Sequence, residues 1–594
     1  MATKTVVISG AAGAWGDSAL STPQLLADGR SDYIMYEGLA EITMAILTRA
    51  RAKDSARGYA RDLIETIAAN LAAYREAGMR VVTNAGGVNP EAAATLIREA
   101  AREGGLDLSI GVVQGDDLMG SDGIAIPEGA ISMNAYLGAR PIAAALDSGA
   151  DVVVTGRVVD SALVLGPLIH EFGWGHDEYD KLSAGSLVGH LLECGPQATG
   201  GLFTDWEETS SWAEPGYPVA EVASDGTFLL TTPKDSEGIV RVATAAEQLL
   251  YEIGDPAAYV LPDVVCDWTQ VRIEQAGEGV EVSGARGNPP TPTLKACAQV
   301  PDGWRAQFLL FIGGRQAVAK ARRVGDDLIA RGERLFELAG LPGFRSTSIE
   351  VLGAEDTYGP HARTGDAREV VLKIGVHHDA REAVEAFLRE VPSIALAGPP
   401  GVSGGGAGLP RPTPLIRLEC VLIARDALVA EVRVDGTAID LDDVDLSTCV
   451  EVVGSQPEDE EVTTPSGPTV EVPLIAIAHG RSGDKGADVN VGIRARHPVF
   501  LLILAGQITS ARVGQWLSHL GTERVDRFRL PGIDAFNFLL TKGLGAGGTA
   551  SLRFDPQGKA VAQQMLDMPV AIPADLLDHP SIRAVPEVVR LRSE

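Results

Sequence analysis

The sequence predicts an α/β protein with a parallel sheet in its N-terminal domain, a second α/β or α+β lobe, and a small C-terminal α+β domain. Three observations support this fold class. Apolar runs typical of buried strands alternate with stretches of helical periodicity over the first 160 residues. Clustered acidic residues and prolines interrupt the chain near residue 460. The length of 594 residues exceeds the ~250–300 at which a single core divides.

The domain boundaries follow from the same pattern. Residues 1–240 are predicted to form the parallel α/β lobe and residues 241–453 the second lobe. Residues 454–470 are predicted to be a linker, because they are poor in apolar residues and rich in acid and proline. Residues 471–594 suffice for one small domain, and their mixture of strand and helix patterns predicts a ferredoxin-like α+β sandwich.

Charge and composition exclude several classes of function. The net charge of −30 and the pI of about 4.7 argue against nucleic-acid binding, which needs a basic face. No apolar run approaches the ~20 residues that span a bilayer, and the chain begins directly with a strand pattern, so we expect no membrane partner and a cytoplasmic protein. The cysteines form no CxxC pair, which fits a reducing compartment and predicts no structural zinc site.

The first strand pattern, Thr5–Ser9, is followed by a glycine-rich turn, Gly10–Ser18. A strand, a glycine turn and a polar residue before a helix form the layout of a phosphate-binding turn. The spacing is GxxGxxG rather than the GxGxxG of dinucleotide sites, so NAD is a minor alternative, although Glu37 lies where a ribose-binding acid would be expected. The ligand-binding candidates here are Gly13, Trp15, Gly16 and Ser18, with Asp17 as a candidate catalytic acid or base.

Three further loops follow predicted parallel strands, at Asn84–Asn89, Gln114–Asp117 and Gly156–Asp160. In such sheets ligands bind beyond the carboxyl ends of the strands, so we expect these loops to converge on one crevice. The ligand-binding candidates in and beside them are Asn84, Gly86, Arg157 and Ser161, and Asp160 is a candidate catalytic residue.

The stretch Gly189–Gly201 mixes apolar and reactive residues. On a helix, His190 shares a face with Glu193 and with Cys194, which predicts an acid–base pair or an activated thiol. The alternatives are a buried core histidine and a small buried cysteine. No HExxH or similar spacing is present, so we assign no metal. Gln197 is a ligand-binding candidate.

The tail contains the densest polar stretch of the chain, His479–Gly492, after an apolar run at 474–478 that predicts a strand. Its glycines at 480, 483 and 486 are three apart, which predicts a loop with tight positive-φ turns whose backbone binds an anion. The alternative is an ordinary connection between two strands. The ligand-binding candidates are Arg481, Ser482, Asp484, Lys485 and Asn490.

Taken together, these motifs resemble those of the acyclic terpene utilisation AtuA family. The stretches that carry the resemblance are Gly10–Ser18, Val154–Ser161, Gly189–Gly195 with Gln197 and Gly200–Gly201, Gln248–Pro256, Pro262–Asp263, and His479–Gly486 with Asn490. The resemblance implies an AtuA domain followed by an AtuA-like ferredoxin-fold domain. It also implies a role in the breakdown of acyclic terpenoids such as citronellol and geraniol, through branched acyl-CoA intermediates.

The sequence therefore predicts an enzyme, a hydratase or a carbon–carbon lyase, that acts on a branched 3-hydroxyacyl-CoA. The coenzyme A thioester is the anionic small-molecule substrate, and no further cofactor is assigned. Acid–base function would come from Asp17, Asp160, His190 and Glu193, while backbone amides near Gly13 and Gly156 would face the thioester oxygen. Arg481 and Lys485 would pair with its anionic groups.

The tail loop would close on the crevice of its own chain or of a neighbouring subunit, and we expect a homo-oligomer. The alternative function is that of a non-catalytic acyl-CoA-binding accessory protein, which acts beside an acyl-CoA carboxylase.

Overall fold

The computed structural model of the protein describes residues 4–17, 19–404, 408, 410–441, 444–455, 463 and 466–593. The helices are α1 (Ser21–Asp28), α2 (Glu41–Lys53), α3 (Arg61–Ala69), α4 (Leu71–Ala77), α5 (Pro90–Glu103), α6 (Arg140–Asp147), α7 (Ala162–Phe172), α8 (Tyr179–Leu192), α9 (Val242–Leu249), α10 (Ala317–Ala339), α11 (Arg381–Glu390), α12 (Ile394–Ala397), α13 (Leu501–Gln507), α14 (Ser510–Trp516), α15 (Val561–Leu566) and α16 (Pro586–Ser593).

The strands of the first half are β1 (Thr5–Gly13), β2 (Tyr33–Glu37), β3 (Arg80–Thr83), β4 (Ile110–Gln114), β5 (Ser132–Ala135), β6 (Val152–Thr155), β7 (Val219–Ala223), β8 (Phe228–Thr231), β9 (Tyr259–Val260), β10 (Val265–Asp267), β11 (Arg272–Ala276), β12 (Gly279–Ser283) and β13 (Arg286–Asn288). Those of the second half are β14 (Thr293–Gly313), β15 (Ser346–Leu352), β16 (Glu369–His378), β17 (Val402–Gly404), β18 (Thr413–Ala424), β19 (Glu431–Val434), β20 (Thr437–Ile439), β21 (Thr469–Pro473), β22 (Ala478–Lys485), β23 (Asp488–Ala495), β24 (Arg524–Leu530), β25 (Ala535–Thr541) and β26 (Pro569–Pro573).

An 11-stranded sheet forms the centre of the N-terminal domain, in the order β11-β12-β8-β7-β1-β2-β3-β6-β4-β19-β20. Its middle strands are β1, β2, β3, β6 and β4, and they pair in parallel. At the two ends of this group, β7 and β19 pair antiparallel. The predicted parallel sheet is thus confirmed. Four strands of this sheet come from beyond residue 240, namely β11, β12, β19 and β20. The lobe boundary predicted at residue 240 therefore does not separate two sheets.

Each middle strand is buried on both faces, because its successive side chains enter different cores. On β2, Met35 belongs to the cluster that α6, α7 and α8 cover, whereas Ile34 belongs to the cluster beneath α3 and α5. This two-sided burial explains why the strands read as continuous apolar runs in the sequence. Because these strands run parallel, their carboxyl ends lie at one edge of the sheet, and the polar loops follow there.

A second sheet is built around the 21-residue strand β14, which pairs with β16, β17, β18 and β5. Helices α10 and α11 cover one of its faces. Cys297 on β14 lies directly opposite Cys420 on β18, and the two form a disulfide. The cysteine pattern gave no sign of this bond, because the two residues are 123 positions apart and only strand pairing brings them together.

The tail has its own core and confirms the predicted C-terminal α+β domain. A four-stranded antiparallel sheet in the order β22-β23-β25-β24 packs against α13, α14 and α15. The acidic run of the predicted linker, at 456–462, lies outside the described residues. Among the helices that the structure describes, none is both long and apolar enough to cross a membrane.

The tail differs from the prediction at its polar stretch. Residues 474–476 form a 3-10 turn, and the predicted anion-binding loop is a β-hairpin made of β22 and β23. Of its three spaced glycines, Gly486 alone has a positive φ, of 69°. The prediction of a backbone nest is therefore wrong, and the polar side chains project from paired strands.

Candidate active site

The loops at the carboxyl ends of the parallel strands meet as expected. Asn84, just after β3, donates from Nδ2 to Glu37 Oε1 at 3.1 Å and approaches Asp160 Oδ1 at 3.4 Å. Its Oδ1 accepts the Gly38 N–H at 3.0 Å. One amide side chain thus joins the ends of β2, β3 and β6. Burial raises the pKa of Glu37 to about 8, and the charge of Asp160 adds to that shift.

Arg157 is the buried cation of this crevice. Its guanidinium donates to the Leu39 carbonyl at 2.5 Å and to Asp160 Oδ1 at 2.9 Å. The guanidinium also lies 4.2 Å from the ring centroid of Tyr136. These contacts hold Arg157 in one place, so it gives the crevice a fixed positive charge beside Asp160.

Asp116 positions the Arg157 backbone. Its Oδ2 accepts the Arg157 N–H at 2.9 Å and the Asn134 side-chain amide at 2.8 Å. A Cβ at Gly156 would lie 2.3 Å from Asp116 Oδ1, so only glycine fits between them. Burial raises the pKa of Asp116 to about 6. The Gly156 N–H donates to the Val113 carbonyl, so it is not free for a thioester oxygen as the sequence suggested.

A second cation reaches the crevice from β14. Lys295 Nζ lies 3.9 Å from Glu41 Oε1 and 4.7 Å from the ring centroid of Tyr136. The Tyr136 hydroxyl donates to Glu41 Oε1 at 2.9 Å. Burial opposes ionisation of Glu41, but Lys295 and Arg157 outweigh it and hold the pKa of that carboxyl at about 2. Glu41 and Lys295 are therefore a charged pair.

His190 and Glu193 come together at the end of α8. His190 Nδ1 lies 3.2 Å from Glu193 Oε1, and Nε2 lies 3.3 Å from the Leu249 carbonyl. Burial lowers the pKa of His190 to about 4, and the Lys485 ammonium lowers it further. Burial raises the pKa of Glu193 well above its usual range, and the Asp160 carboxylate does so too. The predicted pair is thus adjacent and largely buried, and the charge of Asp160 acts on Glu193.

Cys194 lies beyond the end of α8, in an environment that suppresses its thiolate. Burial raises the pKa of its thiol well above the usual range, and the charges of Glu193 and Glu252 raise it further. A nucleophilic thiolate needs the opposite shift. These surroundings argue against a nucleophilic role for Cys194, which is partly buried.

The tail hairpin docks on the segment 248–252 of the same chain. Arg481 donates to the Leu202 carbonyl at 3.0 Å and to Gln197 Oε1, and its guanidinium lies 4.6 Å from the ring centroid of Tyr251. Lys485 donates to the Glu252 carbonyl and lies 4.9 Å from the ring centroid of Tyr259. Gln197 and the tail cations are therefore brought together within one chain.

Lys485 also faces the His190–Glu193 pair. Tyr259 is near both groups: its ring centroid is 6.2 Å from that of His190 and 4.9 Å from Lys485 Nζ. Burial works against the charge of Lys485, but Tyr259 and Glu252 raise its pKa overall. Lys485 is therefore a cation that the tail supplies to the cleft formed by the N-terminal domain.

Two candidates of the hairpin serve to hold the tail together and to dock it. Ser482 donates from Oγ to the Gly558 carbonyl at 2.6 Å and accepts the Ala562 N–H. Asn490 is fully buried, donates to the Leu250 carbonyl at 2.6 Å, and accepts the Glu252 N–H at 2.8 Å. Their polar groups are satisfied by protein, so neither side chain is available to a ligand. Asp484 Oδ1, by contrast, is buried without a hydrogen-bond partner.

The glycines of the hairpin are needed for close approach. A Cβ at Gly492 would lie 2.4 Å from Leu250 Cβ, and one at Gly483 would lie 2.5 Å from the Tyr251 ring. Both residues belong to strands with ordinary backbone angles, so absence of a side chain, and not conformational freedom, is what the site requires.

Replacing Gly492 by Ala should destabilise the docked tail by roughly 1–3 kcal/mol, because the added methyl group overpacks Leu250. Denaturant unfolding and limited proteolysis within the tail would measure the effect. Gly365→Ala is a suitable control, because no atom lies within 4 Å of its Cβ position. Equal stability of the two variants would contradict the close contact between β23 and Leu250.

The first glycine turn differs from the predicted phosphate site. Strand β1 runs through to Gly13, whose Cβ would lie 2.4 Å from the Cys194 carbonyl carbon. Asp17 Oδ2 accepts the Gly13 N–H at 3.2 Å, and Asp17 Oδ1 accepts the Tyr217 hydroxyl at 2.7 Å. The Gly13 amide is therefore occupied by a carboxylate of its own turn. Trp15 is partly exposed beside it.

Four ligand-binding candidates remain: Gly86, Ser161, Gly16 and Ser18. A Cβ at Gly86 would meet the Thr155 carbonyl at 2.4 Å, so this glycine lets the loop after β3 lie against the end of β6. Ser161 is buried at the start of α7 and packs against Gly189. Gly16 has a positive φ of 97°. Ser18 lies outside the described residues.

Several groups of the cleft were absent from the sequence-based candidates. These are Glu41, Tyr136, Tyr251, Glu252, Tyr259, Lys295 and Lys559. Glu37 had been noted only as a ribose-binding acid for the minor NAD alternative. The motif around Tyr251 and Glu252 carried part of the family resemblance and could have pointed to two of them. Lys295 lies within a long strand, and no local pattern distinguishes it. Among the residues that the structure describes, no group of three or more potential ligands could hold a metal ion.

Two family models match the chain. Residues 6–434 match the acyclic terpene utilisation family protein AtuA, and residues 472–571 match the AtuA ferredoxin-like domain. No curated protein and no solved structure matches the sequence. Since the first match alone covers well over half of the 594 residues, the protein belongs to the AtuA family and is involved in acyclic terpene utilisation.

Proposed function

We propose that the protein is a hydro-lyase that interconverts a branched 3-hydroxyacyl-CoA and the corresponding enoyl-CoA in acyclic terpenoid breakdown. The observation that carries the proposal is two carboxyl groups with different partners: Glu193 lies 3.2 Å from the His190 imidazole, and Asp160 lies 2.9 Å from the Arg157 guanidinium. Burial and the charge of Asp160 both raise the pKa of Glu193, so the arrangement favours one protonated and one ionised carboxyl group. A reaction that removes one proton and donates another needs that state.

The hydrogen bonds of His190 identify the acid. The Leu249 carbonyl can only accept, so the hydrogen of a neutral imidazole lies on Nε2 and the lone pair lies on Nδ1. Because burial keeps the ring neutral near pH 7, Nδ1 accepts a hydrogen bond from the protonated carboxyl group of Glu193, 3.2 Å away. Glu193 is thereby held as a carboxylic acid that can protonate a leaving hydroxyl group.

Asp160 is the matching base. Burial raises the pKa of Asp160, but the Arg157 guanidinium, 2.9 Å from its Oδ1, opposes that shift and favours the carboxylate in this member of the pair. In dehydration, Asp160 takes the proton from C2, the electron pair forms the C2–C3 double bond, and the C3–O bond breaks as Glu193 gives its proton to the departing oxygen. Hydration follows the same path in reverse.

The cations around the pair suit an anionic substrate. Lys295 reaches the cleft from β14 and Lys485 reaches it from the tail, and both approach the cleft carboxyl groups. Since the amides of Gly13 and Gly156 are occupied, these side chains are the better candidates to stabilise negative charge on the thioester oxygen or on the coenzyme phosphates.

The test is to incubate the purified full chain with branched 2-enoyl-CoA and 3-hydroxyacyl-CoA substrates and to follow the conjugated thioester by its absorbance and the products by mass. We expect reversible hydration of at least one branched substrate. Cleavage into two shorter products would instead support a carbon–carbon lyase, in which Asp160 takes the proton of the hydroxyl group. Tight binding without turnover, unchanged by Glu193→Gln, would support an accessory acyl-CoA-binding protein.

A further inference from the structure

A second polar cluster lies in the cleft and has no part in the hydration scheme. Its centre is Lys559, whose Nζ donates to the Tyr251 hydroxyl and to Glu252 Oε1 at 3.0 Å and lies 3.8 Å from Asp484 Oδ1. The ammonium position is also 4.3 Å from the ring centroid of Tyr251. An amine, a phenol and two carboxyl groups are thus gathered where the tail meets the N-terminal domain.

The backbone that carries Lys559 is fixed. Asp555 accepts the Lys559 N–H on Oδ1 at 2.9 Å and the Ala560 N–H on Oδ2 at 2.8 Å. The Lys559 side chain nevertheless remains 33% exposed, so a molecule in the cleft can reach Nζ. Lys485, which donates to the Glu252 carbonyl and lies over the ring of Tyr259 beside His190, connects this cluster to the acid–base pair.

The surroundings make this amine reactive. Burial lowers the pKa of Lys559 to about 8, so an appreciable fraction is the free amine near neutral pH. Burial raises the pKa of Glu252 well above its usual range, with the Asp484 carboxylate raising it further, so the carboxyl group beside the amine can donate a proton. Glu252 also has a φ of 55°, a strained conformation for a non-glycine residue that the docked tail holds in place.

We propose that the Lys559 amine forms an imine with the ketone carbon of a 3-oxo acid, or of its thioester, bound in the cleft. The ligand class of 3-oxo acyl compounds goes beyond the 3-hydroxyacyl substrate of the proposed hydro-lyase. A 3-oxo acyl compound carries its ketone on C3, the carbon that bears the hydroxyl group of the 3-hydroxyacyl substrate, and the cleft cations suit its anionic end.

The steps balance with groups on the page. The nitrogen lone pair of the free amine adds to the ketone carbon, and the ketone oxygen receives a proton from the Glu252 carboxyl group. The nitrogen then returns one proton to Glu252, which passes it to the carbinol oxygen, and water leaves as the C=N bond forms. Tyr251 lies within hydrogen-bond distance of the same nitrogen and can orient the lone pair.

The experiment is reductive trapping. The full chain is mixed with acetoacetate, the smallest 3-oxo acid, and sodium borohydride, which reduces an imine to a stable secondary amine; peptides are then mapped by mass spectrometry. We expect a stoichiometric adduct on Lys559 that depends on both reagents and is lost in Lys559→Arg, whose folding is checked by circular dichroism. Trapping is repeated with acetoacetyl-CoA, which tests the thioester form of the ligand.

Lys542→Arg is the control, because Lys542 is an exposed lysine paired with Glu523. It should leave labelling of Lys559 unchanged. Absence of an adduct on Lys559 in the folded protein, or labelling of Lys542 to the same extent, would overturn the proposal and leave Lys559 as an ion-pair partner of Glu252. Hydration of enoyl-CoA is scored separately, so failure of either proposal is visible without the other.

Discussion

Replacing Glu193 by Gln should lower kcat for hydration by about 10²- to 10⁴-fold, the usual contribution of one general acid. The amide keeps the shape of the side chain but cannot deliver a proton to the leaving oxygen. It also presents a hydrogen to His190 Nδ1, so the buried contact is preserved and the fold should be intact. Steady-state kinetics on the best enoyl-CoA substrate would measure the effect.

The matched control for this experiment is Glu91→Gln. Glu91 lies on the surface of α5 and pairs with Arg98 at 2.6 Å, so its loss should change neither kcat nor KM noticeably. A Glu193→Gln enzyme with wild-type kcat would remove Glu193 from the mechanism. A change confined to KM would show that the side chain binds substrate and does not transfer a proton.

Replacing Asp205 by Ala should destabilise the protein by roughly 3–5 kcal/mol, because it leaves buried positive charge unpaired. Asp205 accepts from Arg496 at 2.5 and 2.6 Å, lies 2.8 Å from Arg583 Nη1, and lies 3.2 Å from His479 Nε2. All three partners belong to the tail. The loss should therefore appear first as release of the tail, measured by proteolysis and denaturant unfolding.

The pKa of Asp205 also predicts how the stability of the protein depends on pH. Burial opposes the charge of Asp205, but Arg496 and His479 outweigh it and hold its pKa well below the usual range. A carboxyl group whose pKa falls on folding stabilises the folded state above its unfolded pKa of about 4, and that contribution is lost as the pH falls further. Wild-type protein should thus lose stability in acid more steeply than Asp205→Ala.

Asp578→Ala provides the comparison for this prediction. Asp578 is 89% exposed and lies 3.5 Å from Arg592, so removing it should cost little. If Asp205→Ala were no less stable than Asp578→Ala, the buried ion network would not be what holds the tail on the N-terminal domain.

The central fold was predictable because its signal is local. The strands β1, β3 and β6 read as apolar runs, and the loops after them contain the asparagine, arginine and aspartate that meet in the crevice. Asp160 was among the predicted residues for the same reason, whereas Glu193 was predicted because it shares a helix face with His190. Parallel strands end at one edge, so loop sequence and position together indicate a site.

The rest could not be predicted, because the cause lies elsewhere in the chain. Gly483 was predicted to be a turn glycine and Gly492 was not singled out, yet their lack of a side chain accommodates Tyr251 and Leu250, about 240 positions earlier in the sequence. Lys295 and Lys559 reach the cleft through strand pairing and domain docking, neither of which a single sequence pattern records. The disulfide between Cys297 and Cys420 was missed for the same reason.

The docking of the tail has a consequence for how the protein is made. Domains generally fold during synthesis from the N-terminus onward. Arg481, Lys485 and Lys559 are translated hundreds of codons after the carboxyl groups of the cleft that they complete. A nascent chain whose tail has not yet been translated therefore carries an unfinished cleft.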